Sequence, residues 1–212
     1  MIQRVYERAK TALLLNKLVI ATDDERIFKA AEDFGADVLM TSANLSSGTE
    51  RVAEVAQQYD FPIVINIQGD EPLLRGESID GIVKVLQKKS VTMASLMTKI
   101  TDLRVLGDEN RVKVIVDKEG HALYFSRSPL PCGAADYFFL HIGIYGYQRD
   151  FLLKFCQWPP SRLEKTESLE QLRVLENGVR IKMLETPFLT LSVDNPQDII
   201  KVEEFLIKEE DE

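Results

Sequence analysis

The residue best placed for chemistry is an aspartate where a β-branched strand stops. Residues 62–65 read as a buried strand, and the run Asn66-Ile67-Gln68-Gly69-Asp70-Glu71-Pro72 ends it. Glycine lets the backbone come close to a bound group, and proline cannot continue a ladder. Asp70 is thereby set at the carboxyl end of a strand, where open α/β sheets take their ligands. A carboxylate there suits a hard cation bridging phosphates. Mg2+ favours octahedral oxygen ligands at ~2.0–2.1 Å and uses one or two carboxylates beside phosphate oxygens and water. The second carboxylate is sought far along the chain, in Ser192-Val193-Asp194-Asn195-Pro196. Asp70 and Asp194 are the candidate metal pair. Each also has a plainer reading: Asp70 as a turn residue at a strand end, Asp194 as turn chemistry before Asn195-Pro196.

Elements that could position such a pair alternate along the chain. Ile2, Val5, Ala9, Ala12 and Leu13 recur at helical spacing, so the chain opens on a helix. A strand follows at 17–21. Thr22 through Glu25 reads as a capping box, with Ile27, Ala31 and Phe34 as the inner stripe of a helix that Gly35 ends. Residues 37–41 read as a strand, Ser47 through Glu50 as a second capping box, and 62–65 as the strand before Asp70. A helix at 79–88 and a strand at 91–97 continue the alternation. The expected fold is α/β, a doubly wound, mostly parallel sheet.

The pattern then changes. Residues 112–116 and 122–126 flank a turn at Asp117-Lys118-Glu119-Gly120 and read as a hairpin. Residues 137–147 form a long aromatic run that would expose a sheet edge unless covered. The section 112–147 is therefore expected to be a small antiparallel arm that a second subunit covers. Helices are expected at 151–158 and 163–177, the second closed by Gly178, then a strand at 179–184. Asn195 as N-cap with Pro196 behind it opens a last helix.

The bulk numbers bound the function. At 212 residues with 45% hydrophobic content the chain can bury the core of one domain. Acids outnumber bases 34 to 26, a net charge of -8, which argues against nucleic acid as a main partner. Two cysteines, Cys132 and Cys156, give no disulfide framework and no zinc spacing, so a reduced cytosolic setting is expected. No apolar run reaches the ~20 residues that span a membrane.

Six runs appear in order: Ala21-Thr22-Asp23, Ser47-Gly48-Thr49-Glu50-Arg51, Asn66 to Pro72, Ala122-Leu123-Tyr124-Phe125-Ser126-Arg127, His141-Ile142-Gly143-Ile144-Tyr145-Gly146 and Leu169-Glu170-Gln171-Leu172-Arg173. Together they resemble the 3-deoxy-manno-octulosonate (Kdo) cytidylyltransferases over nearly the whole chain. The resemblance implies a Rossmann-like fold of the nucleotide-diphospho-sugar transferase type and a cytoplasmic homodimer. It implies that the anomeric hydroxyl of Kdo attacks the α-phosphate of CTP with Mg2+ as cofactor, for lipopolysaccharide biosynthesis. The family opens with a strand and a Gly-, Arg- and Lys-bearing loop that grips the CTP phosphates. Met1 to Val5 resembles the helix after that loop, so the chain as written is expected to lack both. An inactive remnant that only binds nucleotide or sugar, and an enzyme for sialic acid or amino-Kdo, are the alternatives.

The resemblance also distributes roles. Ser47, Thr49 and Arg51, with Gln68 and Asp70, are the expected nucleotide-binding residues. A helix N-terminus favours anions and carbonyl acceptors, but an ordinary capping box explains Ser47 and Glu50 equally well. It does not explain Arg51, whose charge opposes the dipole in the first turn. Arg127, His141, Tyr145, Glu170 and Gln171 are the expected sugar-binding residues, with Arg127 pairing in bidentate fashion with the sugar carboxylate. Their plainer readings are a surface ion pair for Arg127, a core histidine for His141 and a solvated helix face for Glu170 and Gln171. His121 is expected to face solvent.

Overall fold

The chain opens on a helix, α1 (Ile2–Ala9), as its apolar spacing predicts. This computed structural model describes residues 1–132, 136–188, 191–193 and 195–210. Helix α1 buries Val5 and Ala9 and stops there, and Leu13, expected on the same stripe, is 87% exposed. A competing acceptor ends the helix early: the Leu13 and Leu14 amides donate to the Asp80 carboxylate at 3.1 and 2.9 Å.

Next come β1 (Ile20–Thr22), α2 (Glu25–Asp33) and β2 (Val38–Met40), with β1 and β2 parallel. The N-cap of α2 is Asp24, which accepts from the Arg26 amide, rather than the expected Thr22. The Thr22 hydroxyl instead accepts from the Asp24 amide, one step further out. Ala31 packs with Ile20 and Ala36 as the stripe predicts, while Ile27 is 40% exposed. Gly35 ends the helix at φ 77°, a conformation that costs glycine nothing. After these come α3 (Gly48–Ala56) and β3 (Ile63–Asn66).

The remaining elements are α4 (Gly76–Leu86), β4 (Met93–Ile100), β5 (Lys113–Val116), β6 (Ala122–Ser126), β7 (Phe138–Gln148), α5 (Arg149–Phe155), α6 (Arg162–Glu167), α7 (Gln171–Glu176), β8 (Lys182–Glu185) and α8 (Pro196–Glu210). Contacts divide the chain into two compact units. The first holds Met1–Val55, Ile67–Asp80 and Phe188–Glu212; the second holds Ala56–Asn66 and Gly81–Pro187. In the first unit, Val202 and Leu206 of α8 pack on Leu73, and the Asn195 side chain caps α8 by accepting from the Gln197 amide at 3.0 Å.

The second unit is built on β7. Strand β4 pairs with one edge of it, and β5 and β3 share the other, all antiparallel; β8 joins β4 in parallel and β6 joins β5 antiparallel. The α/β class holds, and the sheet is mixed. The antiparallel section falls where the sequence places it, but the aromatic strand is central. Strands of the same chain pair along both its edges, so the run does not leave the expected open sheet edge. The expected helix at 163–177 is two helices. Ser168 adopts a left-handed conformation (φ 55°) between α6 and α7, and the turn lets Leu169 and Leu172 both bury.

Strand β7 alternates from Phe138 to Tyr145: Phe138, Leu140, Ile142 and Ile144 are buried on one face, with Phe139, His141 and Tyr145 half-buried on the other. A side-chain carbon on Gly146 would overlap Ile82 and Leu86 of α4 and press on Ile65. The helix can lie on the sheet only because that carbon is absent. Gly146→Ala is expected to lower the unfolding free energy by about 1–3 kcal/mol through overpacking, measured by urea denaturation. Unchanged stability would show that α4 does not press on β7.

Candidate active site

In the first unit, five expected residues lie at the carboxyl ends of strands and at the start of α3. The Ser47 hydroxyl accepts from the Glu50 amide at 3.2 Å, so Ser47 caps α3 as expected. The other half of the box is different: the Glu50 carboxylate returns to the amide and hydroxyl of Ser46, at 2.7 and 2.9 Å. Thr49 is buried, 3% exposed. The Gln68 amide lies against Gly48, close enough that a side-chain carbon there would stand 3.2 Å from Gln68 Nε2. Gln68 from the loop after β3 and the Ser47–Thr49 turn therefore form one polar group.

Arg51 is explained by partners that sequence reasoning missed. Its guanidinium donates to Asp23 Oδ2 at 2.9 Å and to Thr41 Oγ1 at 2.5 Å. Asp23 follows β1 and Thr41 follows β2, so Arg51 ties the carboxyl ends of the two parallel strands to α3. This ion pair offsets the opposing helix dipole. The guanidinium is thus held in place at the strand ends beside the candidate nucleotide residues.

Asp70 is half-buried in the loop after β3, and its carbonyl accepts from the Val193 amide at 2.9 Å. The residue preceding Asp194 is therefore bonded to Asp70, although the two are far apart in sequence. Asp194 itself lies outside the described residues. A carboxylate on this loop is a hard oxygen donor and fits Mg2+. Among the described residues, the one other carboxylate–imidazole group of metal-ligating type is Asp117, Glu119 and His121. Arg180 already neutralises it, donating to Asp117 at 2.7 Å and to Glu119 at 3.0 Å. His121 is half-buried against these acids rather than facing solvent.

In the second unit the expected sugar residues are drawn from β6, β7 and α7. Arg127 follows β6 and is pinned through its backbone. The Glu167 carboxylate accepts from the Arg127 amide at 3.2 Å, the Ser126 hydroxyl at 2.9 Å and the Tyr124 hydroxyl at 3.2 Å. On the other side the Lys113 ammonium donates to the carbonyls of Arg127, Arg111 (2.8 Å) and Asp108 (2.9 Å). Lys113 is wholly buried, and that burial pushes its pKa down from the usual lysine value. Three carbonyls meet the three donors of the ammonium, so the burial is tolerated. The Arg127 guanidinium donates to the Glu109 carbonyl at 3.1 Å and forms no ion pair among the described residues, so the surface-pair reading fails. The sequence signal for Lys113 was present, a lone lysine in the β-branched run Val112-Lys113-Val114-Ile115-Val116. Glu167 carried none.

Helix α7 is fixed to α6 by Arg173, whose guanidinium grips Glu164 at 2.5 and 2.7 Å and donates to the Trp158 carbonyl at 3.1 Å. Burial alone would raise the Glu164 pKa, but the bonds from Arg173 and the Ser161 amide outweigh it and hold the group below its ordinary value. This clamp presents Glu170 and Gln171. Gln171 is 3% exposed, not on a solvated face, and its buried Nε2 has no hydrogen-bond partner among the described residues. An unpaired buried donor costs about 1–3 kcal/mol, and an acceptor on a ligand would satisfy it.

His141 and Tyr145 stand four residues apart on β7, ring centroids 5.3 Å apart, and His141 and Phe125 meet in a T-shaped contact with centroids 5.0 Å apart. Burial drives the His141 pKa down to about 3, so the ring is neutral near pH 7. A neutral imidazole offers one N–H donor and one acceptor and stores no proton. The group takes protons more readily in the unfolded chain (about 6.5) than in the folded one. Its contribution is therefore whole above about pH 6.5 and is lost as pH falls towards 3. From pH 7 to 5.5 the protein is expected to lose up to about 1 kcal/mol of stability through this group. His141→Gln should flatten that slope in urea titrations, and an identical slope in the variant would assign the loss to other groups.

The chain is similar to known cytidylyltransferases in sequence and in fold. The cytidylyltransferase family model matches residues 1–181. A 3-deoxy-manno-octulosonate cytidylyltransferase of Solibacter usitatus is 48% identical over 207 residues, covering 95% of this chain and 82% of the relative. That of Geotalea uraniireducens is 47% identical, covering 98% and 89%. Among solved structures, a CMP:2-keto-3-deoxy-manno-octonic acid synthetase complexed with CTP superimposes with a TM-score of 0.92 at 36% identity, covering 98% of this chain and 88% of that one.

Proposed function

This chain belongs to the cytidylyltransferase family, and from that premise we propose that it transfers CMP from CTP to the anomeric hydroxyl of 3-deoxy-manno-octulosonate (Kdo). The products are CMP-Kdo, for lipopolysaccharide biosynthesis, and pyrophosphate. The observation that carries the reading is the likeness of nearly the whole chain to a synthetase solved with CTP. A bond forms from the anomeric oxygen to the α-phosphorus, the bond to the pyrophosphate oxygen breaks, and the hydroxyl proton is lost.

The residues divide the labour by unit. In the first, the amides and hydroxyls at the start of α3 and the Gln68 amide receive the nucleotide, supported by Arg51 on its Asp23 anchor. Asp70 and Asp194 would hold Mg2+, which when bound neutralises phosphate charge and acidifies the attacking hydroxyl. In the second, Arg127 meets the sugar carboxylate, and its preset backbone lowers the ordering cost of that pairing. His141, Tyr145, Glu170 and Gln171 receive sugar hydroxyls. The resemblance carries two further readings, a homodimer and a cytoplasmic location; sedimentation of the purified protein checks the first.

Pyrophosphate release that requires CTP, Mg2+ and Kdo together is the expected result for the purified chain. Sialic acid and amino-Kdo serve as alternative acceptors, and a preference for either would replace Kdo in this reading. Asp70→Asn is expected to cut turnover by about 10²-fold or more, since several kcal/mol of charge stabilisation are lost.

Arg127→Lys keeps the charge and loses the fork. The KM for Kdo is expected to rise roughly tenfold, the worth of one charge-assisted hydrogen bond, with the KM for CTP unchanged. Equal changes in both constants would remove Arg127 from the sugar site.

A further inference from the structure

We infer that Ser95 is a positioning residue that holds His141 as its Nε2–H tautomer and so presents Nδ1 as an acceptor to a hydroxyl of the sugar. The inference rests on the reading of His141 as a sugar-binding residue. Ser95 is wholly buried in β4. Its Oγ lies 2.8 Å from the Ile144 carbonyl oxygen, 3.3 Å from that of Ile142 and 2.9 Å from His141 Nε2.

Counting protons assigns the tautomer. A hydroxyl has one proton to give and two lone pairs to receive with. Carbonyl oxygens cannot donate, so the Ser95 proton points to them, chiefly to Ile144. The contact with the ring is then a hydrogen bond only if Nε2 carries the hydrogen. The reverse arrangement would turn the Ser95 proton to the ring and leave two carbonyl oxygens facing its lone pairs, in a buried place with no relief. Nδ1 keeps its lone pair and has no hydrogen-bond partner among the described residues.

The backbone is shaped for this contact. The β4–β7 register shifts between Ser95 and Leu96: Ser95 pairs with Tyr145 and Leu96 with Ile142, so Gly143 and Ile144 stand opposite a single step. The irregularity turns the carbonyls of Ile142 and Ile144 onto one hydroxyl, and bulges of this kind re-aim side chains beside functional sites. Serine is small enough to sit there and carries the needed hydroxyl; alanine fits the space and lacks it. Burial keeps the ring neutral, so the acceptor persists at neutral pH.

Two-bond proton–nitrogen correlation spectra of 15N-histidine protein at neutral pH test the tautomer without substrate. The His141 Nδ1 is expected to resonate as an unprotonated nitrogen and to move when Kdo is added. In Ser95→Ala the ring should show mixed tautomers, and the KM for Kdo should rise roughly tenfold while that for CTP holds. In a His141→Gln background the same change should add almost nothing, because Ser95 acts through the ring. A protonated Nδ1 in the wild type, equal rises in both KM values, or full additivity would each overturn the inference. A protein with the expected tautomer that turns over no Kdo would instead sink the functional reading, and with it the ligand given to Nδ1.

Discussion

The second unit depends on one strand that hydrogen-bonds along both edges. Strand β7 is long, aromatic and apolar on alternate positions, and three other strands take their register from it. Its period of two decides the rest: one face is committed to Ile142 and Ile144 in the core, so the other must carry His141 and Tyr145. A slip of one residue would turn the isoleucines out of the core and put the imidazole in their place. The small Gly146 and the irregularity opposite Ser95 each have a use. The first admits α4, and the second gathers carbonyls around the serine.

Buried charge is the second constraint. Lys113 and Arg173 are buried and Glu164 and Glu167 half-buried, which is unfavourable unless their donors and acceptors are met. They meet that demand with the backbone around Arg127 and at the start of α7. Satisfying a buried charge and fixing a functional residue are therefore one act. The amide of Arg127 rests on an acid and its carbonyl on a base, while the guanidinium donates to the Glu109 carbonyl.

Much of this was legible in sequence, for identifiable reasons. Element type followed from composition and punctuation: a long aromatic run marked β7, and Asn195-Pro196 and Gly35 marked helix ends that the structure keeps. Legibility failed where a distant group outbid a local signal. Asp80 takes the amides that would have extended α1, and Asp24 replaces Thr22 as a cap. Ser168 breaks a helix without glycine or proline to announce it. The role of β7 as a central strand was hidden because an aromatic run reads alike at an edge or in the middle. Among site residues, motif order named Arg51, Arg127 and His141, but their partners Asp23, Glu167 and Ser95 lie 28, 40 and 46 positions away in sequence. Nothing local encodes such pairings.

The same logic accounts for how an acidic protein can receive an acidic sugar. With a net charge of -8, long-range attraction cannot gather the substrate, so recognition must be local. The sugar set has one cation free of an ion pair among the described residues, Arg127, and otherwise neutral groups: an imidazole kept uncharged by burial, a phenol and a buried amide. One cation matches one carboxylate, and neutral groups match hydroxyls. A second exposed cation would tighten binding of any anion, nucleotide phosphates included, and would blur the difference between the two substrates. In the proposed site, holding His141 neutral would serve that discrimination. A ring of low proton affinity would there read a hydroxyl rather than a charge.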